Sequence, residues 1–260
     1  GSAWGDLDND GDFDAVIANL AHPRFYDFSD KTEVLIQDNG TFTNIQGSFE
    51  EPQGDTGIRF QETHSVPALA DFNLDGNLDL IISATYDGRP TDVYLGQGNG
   101  RFQPYHFESG ILEPNGWGLA VADFNQDGKP DVASKTQLFQ NQASGYETQW
   151  YQSTVVGDET VNRAGIGTVL VATLSDGSTR IQQVSGGSGQ GCQDSLTVSF
   201  TLPNPLQLDA LTHVVHVGYR ELGLGITLGC SFAVELEGFG IILFDTFAVV
   251  VTLGQLALRF

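Results

Sequence analysis

Short apolar runs rich in Val, Phe and Thr alternate along the chain with turns rich in Gly, Asp and Asn. Runs of this composition are typical of β-strands, and Gly-containing turns are typical of the hairpins that join them. The apolar stretch from residue 239 to 258 contains Asp245 and Gln255, so it predicts strands and not a membrane-spanning helix, which needs about 18 or more apolar residues. The pattern therefore predicts an all-β chain.

One nine-residue pattern, D-x-[DN]-x-D-G-x-x-D followed by an apolar run, occurs three times. The copies are loop 1 (residues 6–14), loop 2 (71–79) and loop 3 (123–131). Each is followed by an apolar strand, a turn and an aromatic residue, at residues 34–42, 93–102 and 138–146. One repeat is thus predicted to be a loop between two strands, followed by a hairpin.

The spacing of acidic residues in the loops suits Ca²⁺, which takes about six to eight oxygen ligands in a flexible cage. Carboxylates two residues apart can turn their oxygens toward one centre, and the glycine at position six is predicted to have a positive φ. Position seven is predicted to act through its backbone carbonyl, because a lysine occupies it in loop 3 and a lysine side chain cannot ligate a cation. Three calcium sites are expected. Their predicted residues are Asp6, Asp8, Asp10, Asp12 and Asp14; Asp71, Asn73, Asp75, Asn77 and Asp79; and Asp123, Asn125, Asp127, Lys129 and Asp131.

Two other interpretations of the loops are disfavoured. An EF-hand needs a bidentate Glu at position twelve, where this chain has Ile17, Ile82 and Ser134. A plain polar turn does not explain three copies with carboxylates at positions one, five and nine. Loop 1 offers four side-chain carboxylates at its predicted ligand positions and the others offer three, so loop 1 is expected to bind most tightly.

The charge balance narrows the choice of partners. The chain carries 33 Asp and Glu against 11 Lys and Arg, a formal net charge of −22. Such a chain is repelled by the phosphates of nucleic acids and by anionic membranes. We find no nucleophile elbow and no phosphate-binding loop, so no catalytic residue is predicted and the chain is not expected to be an enzyme. Whether Cys192 and Cys230 form a disulfide stays open.

The three loops with their downstream hairpins resemble the calcium repeats called FG-GAP or VCBS, which form blades of extracellular β-propellers. The resemblance covers about residues 1 to 150. The Asn162-Arg-Ala-Gly165-Ile-Gly167 segment, with the strand and turn that follow it, resembles the ASPIC/UnbV domain of the cartilage acidic protein family. The Trp-Pro-Ser-Gly signature of that domain is absent. The resemblance implies partial propeller-like blades at 1–155 and a β-sandwich-like domain with an apolar end at 156–260.

The resemblance also implies an extracellular or cell-surface structural or adhesion role. A propeller closes with about four to eight blades, whereas three repeats are recognisable here. An open sheet and apolar terminal strands favour self-association into a fibre or matrix by strand addition. The alternatives are that the tail packs on its own domain, or that the chain is a monomeric module binding a glycan or a surface receptor. Trp4, Trp117 and Trp150 are expected in the core and not on a sugar platform.

Overall fold

The structure is a computed structural model that describes residues 1–22, 24, 29–49, 51, 54–112, 116–135, 137–144, 148–157, 162–187, 189, 192–203, 208–215, 230–234 and 248–253. The described residues form strands, turns and bends, and none is helical. No helix long and apolar enough to cross a membrane occurs among them. The strands are β1 (Ser2–Gly5), β2 (Asp14–Ile17), β3 (Glu33–Asp38), β4 (Thr41–Asn44), β5 (His64–Ala70), β6 (Asp79–Ala84), β7 (Asp92–Gly96), β8 (Phe102–Pro104), β9 (Leu119–Ala122), β10 (Asp131–Ser134), β11 (Gln137–Phe139), β12 (Thr148–Val156), β13 (Val169–Leu174), β14 (Thr179–Gln183), β15 (Thr197–Pro203), β16 (Leu208–Val215), β17 (Cys230–Val234) and β18 (Ala248–Leu253).

The first eleven strands form three antiparallel sheets, one for each predicted repeat. Blade 1 has the order β1-β2-β3-β4, blade 2 has the order β5-β6-β7-β8, and blade 3 consists of β9, β10 and β11 in sequence order. The first strands of the blades are neighbours, with β1 beside β5 and β5 beside β9. Successive meanders placed side by side through their first strands are the arrangement of propeller blades. The prediction of an all-β, incomplete propeller-like fold is confirmed.

Apolar faces of neighbouring blades pack on each other. One core joins blades 1 and 2 and includes Val16, Val34, Leu80 and Tyr94, which are fully buried. A second core joins blades 2 and 3 and contains Ile81, Val93 and Val132, among others. Adjacent residues of β6 point to opposite faces, so Leu80 and Ile81 belong to different cores. β6 is therefore buried on both faces, which explains why its sequence lacks an alternating polar pattern.

The remaining strands form two sheets, β15-β12-β18 and β14-β13-β16-β17. Leu170, Leu174, Phe200 and Leu202, together with neighbouring apolar residues, form one core with members from both sheets, as in a sandwich. The C-terminal strand β18 pairs antiparallel with β12, from Tyr151↔Leu253 to Val156↔Ala248. The described part of the apolar tail, residues 248–253, thus pairs through its backbone with a strand of its own unit. The predicted strands on either side of β18, at 239–247 and 254–258, lie outside the described residues.

The chain folds as two compact units. Unit 1 consists of residues 1–146 and 187–195, and unit 2 consists of residues 147–186 and 196–260. The predicted boundary near residue 155 falls inside β12. Two hydrogen bonds to β9 hold residues 194 and 195 to unit 1: Asp194 Oδ1 accepts from Val121 N at 2.8 Å, and Ser195 N donates to Val121 O at 2.8 Å.

Two of the three tryptophans lie at the surface. Trp4 and Trp117 are 54% and 56% exposed, so the prediction that they are core residues is wrong. Trp4 instead contacts Phe42 of β4 edge-to-face, with ring centroids 6.0 Å apart. Because the side chain of Cys230 lies outside the described residues, whether Cys192 and Cys230 form a disulfide stays open.

Candidate metal centre

Each acidic loop occupies the same corner of its blade, between the first and second strands. Loop 1 joins β1 to β2, loop 2 joins β5 to β6, and loop 3 joins β9 to β10. Position nine of each loop is the first residue of the second strand. The strand ladder therefore fixes both ends of a nine-residue loop that carries three to five acidic side chains.

The three loops share one backbone conformation. The glycines at position six, Gly11, Gly76 and Gly128, have φ of 96°, 89° and 85°, as predicted. Position four is also left-handed, with φ of 63° at Asn9, 63° at Leu74 and 60° at Gln126. Leu and Gln rarely adopt this conformation. Its occurrence in all three copies shows that the loop as a whole imposes it.

Position one organises the turn by accepting hydrogen bonds from the backbone. The Oδ1 of Asp6, Asp71 and Asp123 accepts from the position-five N–H at 3.1, 3.0 and 3.1 Å, respectively. The Oδ2 of the same three residues accepts from the glycine N–H at 3.2, 2.9 and 2.9 Å. These bonds hold the middle of each loop around the first carboxylate.

Position nine closes the loop. The Oδ2 atoms of Asp14, Asp79 and Asp131 accept from the position-two N–H at 2.7, 2.8 and 3.0 Å, respectively. Their Oδ1 atoms accept from an N–H at or just beyond the end of the blade's third strand, at 2.9, 2.7 and 2.7 Å. These three carboxylates are at most 1% exposed. Position nine therefore ties the loop entry to the hairpin of the same blade.

Loop 1 brings three carboxylates together. One oxygen from each of Asp6, Asp8 and Asp14 lies within 4.8 Å of the other two. The buried oxygens Asp8 Oδ1 and Asp12 Oδ1 have no hydrogen-bond partner. A buried polar atom without a partner is costly, and hard oxygen donors in this number suit a divalent cation such as Ca²⁺. The residues of loop 1 therefore fit a cation.

Burial changes the acidity of these groups. Desolvation raises the pKa of Asp6 and of Asp14 to about 6, with like-charged neighbours adding to the effect and backbone hydrogen bonds opposing it. The pKa of Asp79 in loop 2 is raised to about 8, again mainly by burial. The pKa of Asp8 is also raised, mainly by desolvation and to a smaller extent by repulsion from Asp10. A bound cation would favour the ionised form of each group.

Loops 2 and 3 differ from loop 1 at position three. Asn73 Nδ2 donates to Asp75 Oδ2 at 2.9 Å, and Asn125 Nδ2 donates to Asp127 Oδ2 at 3.0 Å. Among the described residues, only loop 1 has three carboxylates with oxygens within 4.8 Å of one another. In loop 3, Lys129 Nζ lies 3.7 Å from Asp127 Oδ2, so an ammonium group partly neutralises that loop.

A second charged cluster, which the sequence did not indicate, is buried in blade 2. Asp92 is fully buried and is paired with Arg59; its Oδ2 also accepts from Gln61 Nε2 at 2.8 Å and lies 3.0 Å from His64 Nε2. Burial opposes ionisation of Asp92, but the hydrogen bonds from His64 and Arg59 outweigh it and hold its pKa below the usual range. His64 Nδ1 lies 2.7 Å from Thr32 Oγ1, which links the cluster to blade 1.

Comparison with known families identifies one segment of the chain. Residues 71–134 match the family described as an FG-GAP-like repeat. The matched segment begins with loop 2, contains loop 3 and ends with β10. None of the curated proteins matches the chain at a significant level.

Proposed function

We propose that the chain binds calcium at its three acidic loops and that calcium stabilises the blades. The observation that carries the proposal is the triplet Asp6, Asp8 and Asp14, beside which Asp8 Oδ1 and Asp12 Oδ1 are buried without hydrogen-bond partners. Loops 2 and 3 share the hydrogen-bond scheme of loop 1 but carry fewer carboxylates. The FG-GAP-like match over loops 2 and 3 supports the same interpretation, since repeats of this family commonly bind Ca²⁺.

The side chains at positions one, three, five and nine would hold the ion, with the position-seven carbonyl beside them. When bound, calcium supplies positive charge that offsets the repulsion among the loop carboxylates. The chain itself supplies the geometry, because the position-one and position-nine carboxylates already accept backbone N–H groups and are held in place. Little rearrangement is therefore needed to bind, and binding to the folded state alone stabilises that state.

Denaturation in urea with excess calcium, with magnesium and with a chelator tests the proposal. At a calcium concentration 100 times the dissociation constant, each site adds about 2.7 kcal/mol to the free energy of unfolding. Asp10→Asn, Asp75→Asn and Asp127→Asn each lower the ligand charge while keeping the oxygen that accepts the position-seven N–H. Asp176→Asn, in an exposed turn of unit 2, is the matched control. Equal stability in calcium and chelator would remove the proposal.

The repeat type supports a proposal for the location and the role of the chain. FG-GAP repeats are typical of extracellular and surface proteins, and we propose that location and a structural or adhesion role for this chain. Calcium sites of extracellular modules work at about 10⁻⁴ to 10⁻³ M, a concentration that exists outside cells. Unit 2 is proposed to be an ASPIC/UnbV-like domain; in it, the Ser-Asp-Gly-Ser segment at residues 175–178 joins β13 to β14.

Self-association is proposed through sheet edges. β18 lies at one edge of its sheet and β15 at the other, and no strand lies beyond either edge among the described residues. Unpaired edges accept strands from other chains unless they are covered. A repeated contact of this kind, made by one surface of a copy with a different surface of the next, produces a filament.

A monomeric glycan- or receptor-binding module is the second candidate, favoured by the exposure of Trp4 and Trp117. Aromatic rings open to solvent bury large areas when a partner docks on them. Sedimentation velocity in calcium separates the two candidates. Large or open-ended species support assembly, whereas a compact monomer contradicts it and makes a glycan-array screen, with Trp4→Ala and Trp117→Ala as controls, the next experiment.

A further inference from the structure

Loops 1 and 2 are each hydrogen-bonded to the segment that follows the third strand of the next blade. The carbonyl at position two of loop 1, Leu7 O, accepts from Gly100 N in the β7–β8 turn at 3.1 Å. The same position in loop 2, Phe72 O, accepts from Asn141 Nδ2, just after β11, at 2.8 Å. The contact is therefore repeated from blade to blade.

Residues at or just after the third strand of these blades also hold the next acidic loop. Gly96 N, at the end of β7, donates to Asp79 Oδ1 of loop 2 at 2.7 Å. Asn141 N donates to Asp131 Oδ1 of loop 3 at 2.7 Å, and its Nδ2 donates a second bond of 3.1 Å to Pro130 O. A single residue, Asn141, thus bonds to loops 2 and 3 at once.

Loops 1 and 2 also touch directly. Asn9 Nδ2 donates to Asn77 Oδ1 at 2.9 Å, over a separation of 68 residues. Gly98 of the β7–β8 turn packs against this pair: a Cβ added there would overlap Asn77 Oδ1 and lie 3.0 Å from Asn9 Nδ2. Loop 1, loop 2 and the β7–β8 turn are therefore in contact at this junction, so a shift of either loop disturbs its hydrogen bond to the other.

We infer that calcium binding at neighbouring loops is positively coupled, with the β7–β8 turn linking loops 1 and 2 and Asn141 linking loops 2 and 3. The inference rests on the proposed calcium function. Ordering a loop around an ion fixes the segment hydrogen-bonded to it, and a neighbouring loop that bonds to the same segment then has less to order when it binds. Coupling between adjacent units is the rule for repeat architectures, in which each unit contacts its neighbours.

The test is a calcium titration of the full chain followed by NMR, with the amide signals of Gly11, Gly76 and Gly128 as separate reporters of loops 1, 2 and 3. The variant Asp127→Asn weakens loop 3 while keeping the oxygen that accepts Lys129 N. We expect it to weaken binding at Gly76 by at least about fivefold, the lower end of measured site–site couplings. Unchanged binding at Gly76 would overturn the inference.

Asn141→Ala isolates the linking residue. It removes both Nδ2 bonds and keeps the backbone bond to Asp131, so loops 2 and 3 should still bind but the effect of Asp127→Asn on Gly76 should disappear. Gln142→Ala, an exposed change in the same segment, should leave that effect intact. A coupling that survives Asn141→Ala contradicts the route through this side chain. Saturable binding at three independent sites overturns the coupling and leaves the proposed function standing, whereas no calcium response at any glycine removes both.

Discussion

Asp79→Asn should open the corner of blade 2 that joins loop 2 to its hairpin. Asp79 is fully buried; its Oδ2 accepts from Phe72 N at 2.8 Å and Asn73 N at 3.1 Å, and its Oδ1 accepts from Gly96 N at 2.7 Å. A carboxylate can accept on both sides, but an asparagine has one oxygen and one NH₂ group. In either amide orientation the NH₂ group faces an N–H donor.

The cost depends on the number of donors that lose their acceptor. Directing the new oxygen at Phe72 and Asn73 leaves one donor, Gly96 N, without an acceptor; the opposite orientation leaves two. An unsatisfied buried donor costs about 1–3 kcal/mol. The first orientation is therefore preferred, and Gly96 N should lose about 5- to 160-fold of its protection from hydrogen exchange if opening becomes easier by that amount.

Native-state hydrogen exchange followed by NMR measures the effect at single amides. Gln37 N, which donates to Asp14 in blade 1, is the internal control, and Asp176→Asn is the control substitution. The effect should be larger in calcium than in chelator, because burial raises the pKa of Asp79 to about 8 and the metal-free carboxyl is largely protonated at pH 7. Unchanged exchange at Gly96, Phe72 and Asn73 in calcium would refute the reasoning.

Three other effects are expected, at Asp79, Asp92 and Lys129. The pKa of Asp79 is about 8 in the folded state and about 4 in an unfolded chain, so between these pH values the folded state holds a proton that the unfolded chain has released. The stability of the metal-free protein should therefore fall as pH rises from about 4 to 8. Calcium binding near pH 7 should release protons, which calorimetry in buffers of different ionisation enthalpy measures. Asp92→Ala should cost about 1–3 kcal/mol in urea denaturation for each of the buried side chains of Gln61 and His64, which lose their hydrogen-bond partner. Glu62→Ala, which breaks a surface ion pair with Arg89, should cost about 1 kcal/mol or less. Lys129→Asn should tighten calcium binding at loop 3, because it removes an ammonium 3.7 Å from Asp127 Oδ2; an unchanged titration of the Gly128 amide would contradict this.

The sequence predicted the parts of the site whose cause is local. The positive φ at Gly11, Gly76 and Gly128 follows from the need for a sharp turn after the acidic residue at position five, and glycine meets that need at low cost. The order of loop, strand and hairpin follows from apolar runs that alternate with turn residues. Both inferences use neighbours within about ten residues, so they do not depend on knowing which blade packs on which.

What the sequence did not indicate depends on contacts between distant residues. The left-handed backbone at Leu74 could not be predicted from residue preference, since leucine disfavours that region and only the closed loop imposes it. The charged cluster around Asp92 joins residues from β5 and β7 to Arg59, which precedes them both. Asp194 is held to unit 1 by a hydrogen bond from Val121, 73 residues away along the chain.

The distinction between local and distant causes also separates two kinds of polar residue in and around the acidic loops. The carboxylates at positions one and nine recur in all three loops and could be identified by pattern alone. The residues that connect one loop to the next, Asn9, Asn77 and Asn141, do not recur: the equivalents of Asn9 are Leu74 and Gln126. Each blade pair meets at its own junction, so nothing requires the same linking side chain twice. A motif search over such a chain therefore finds the proposed ligands and misses the residues that would make one site respond to another.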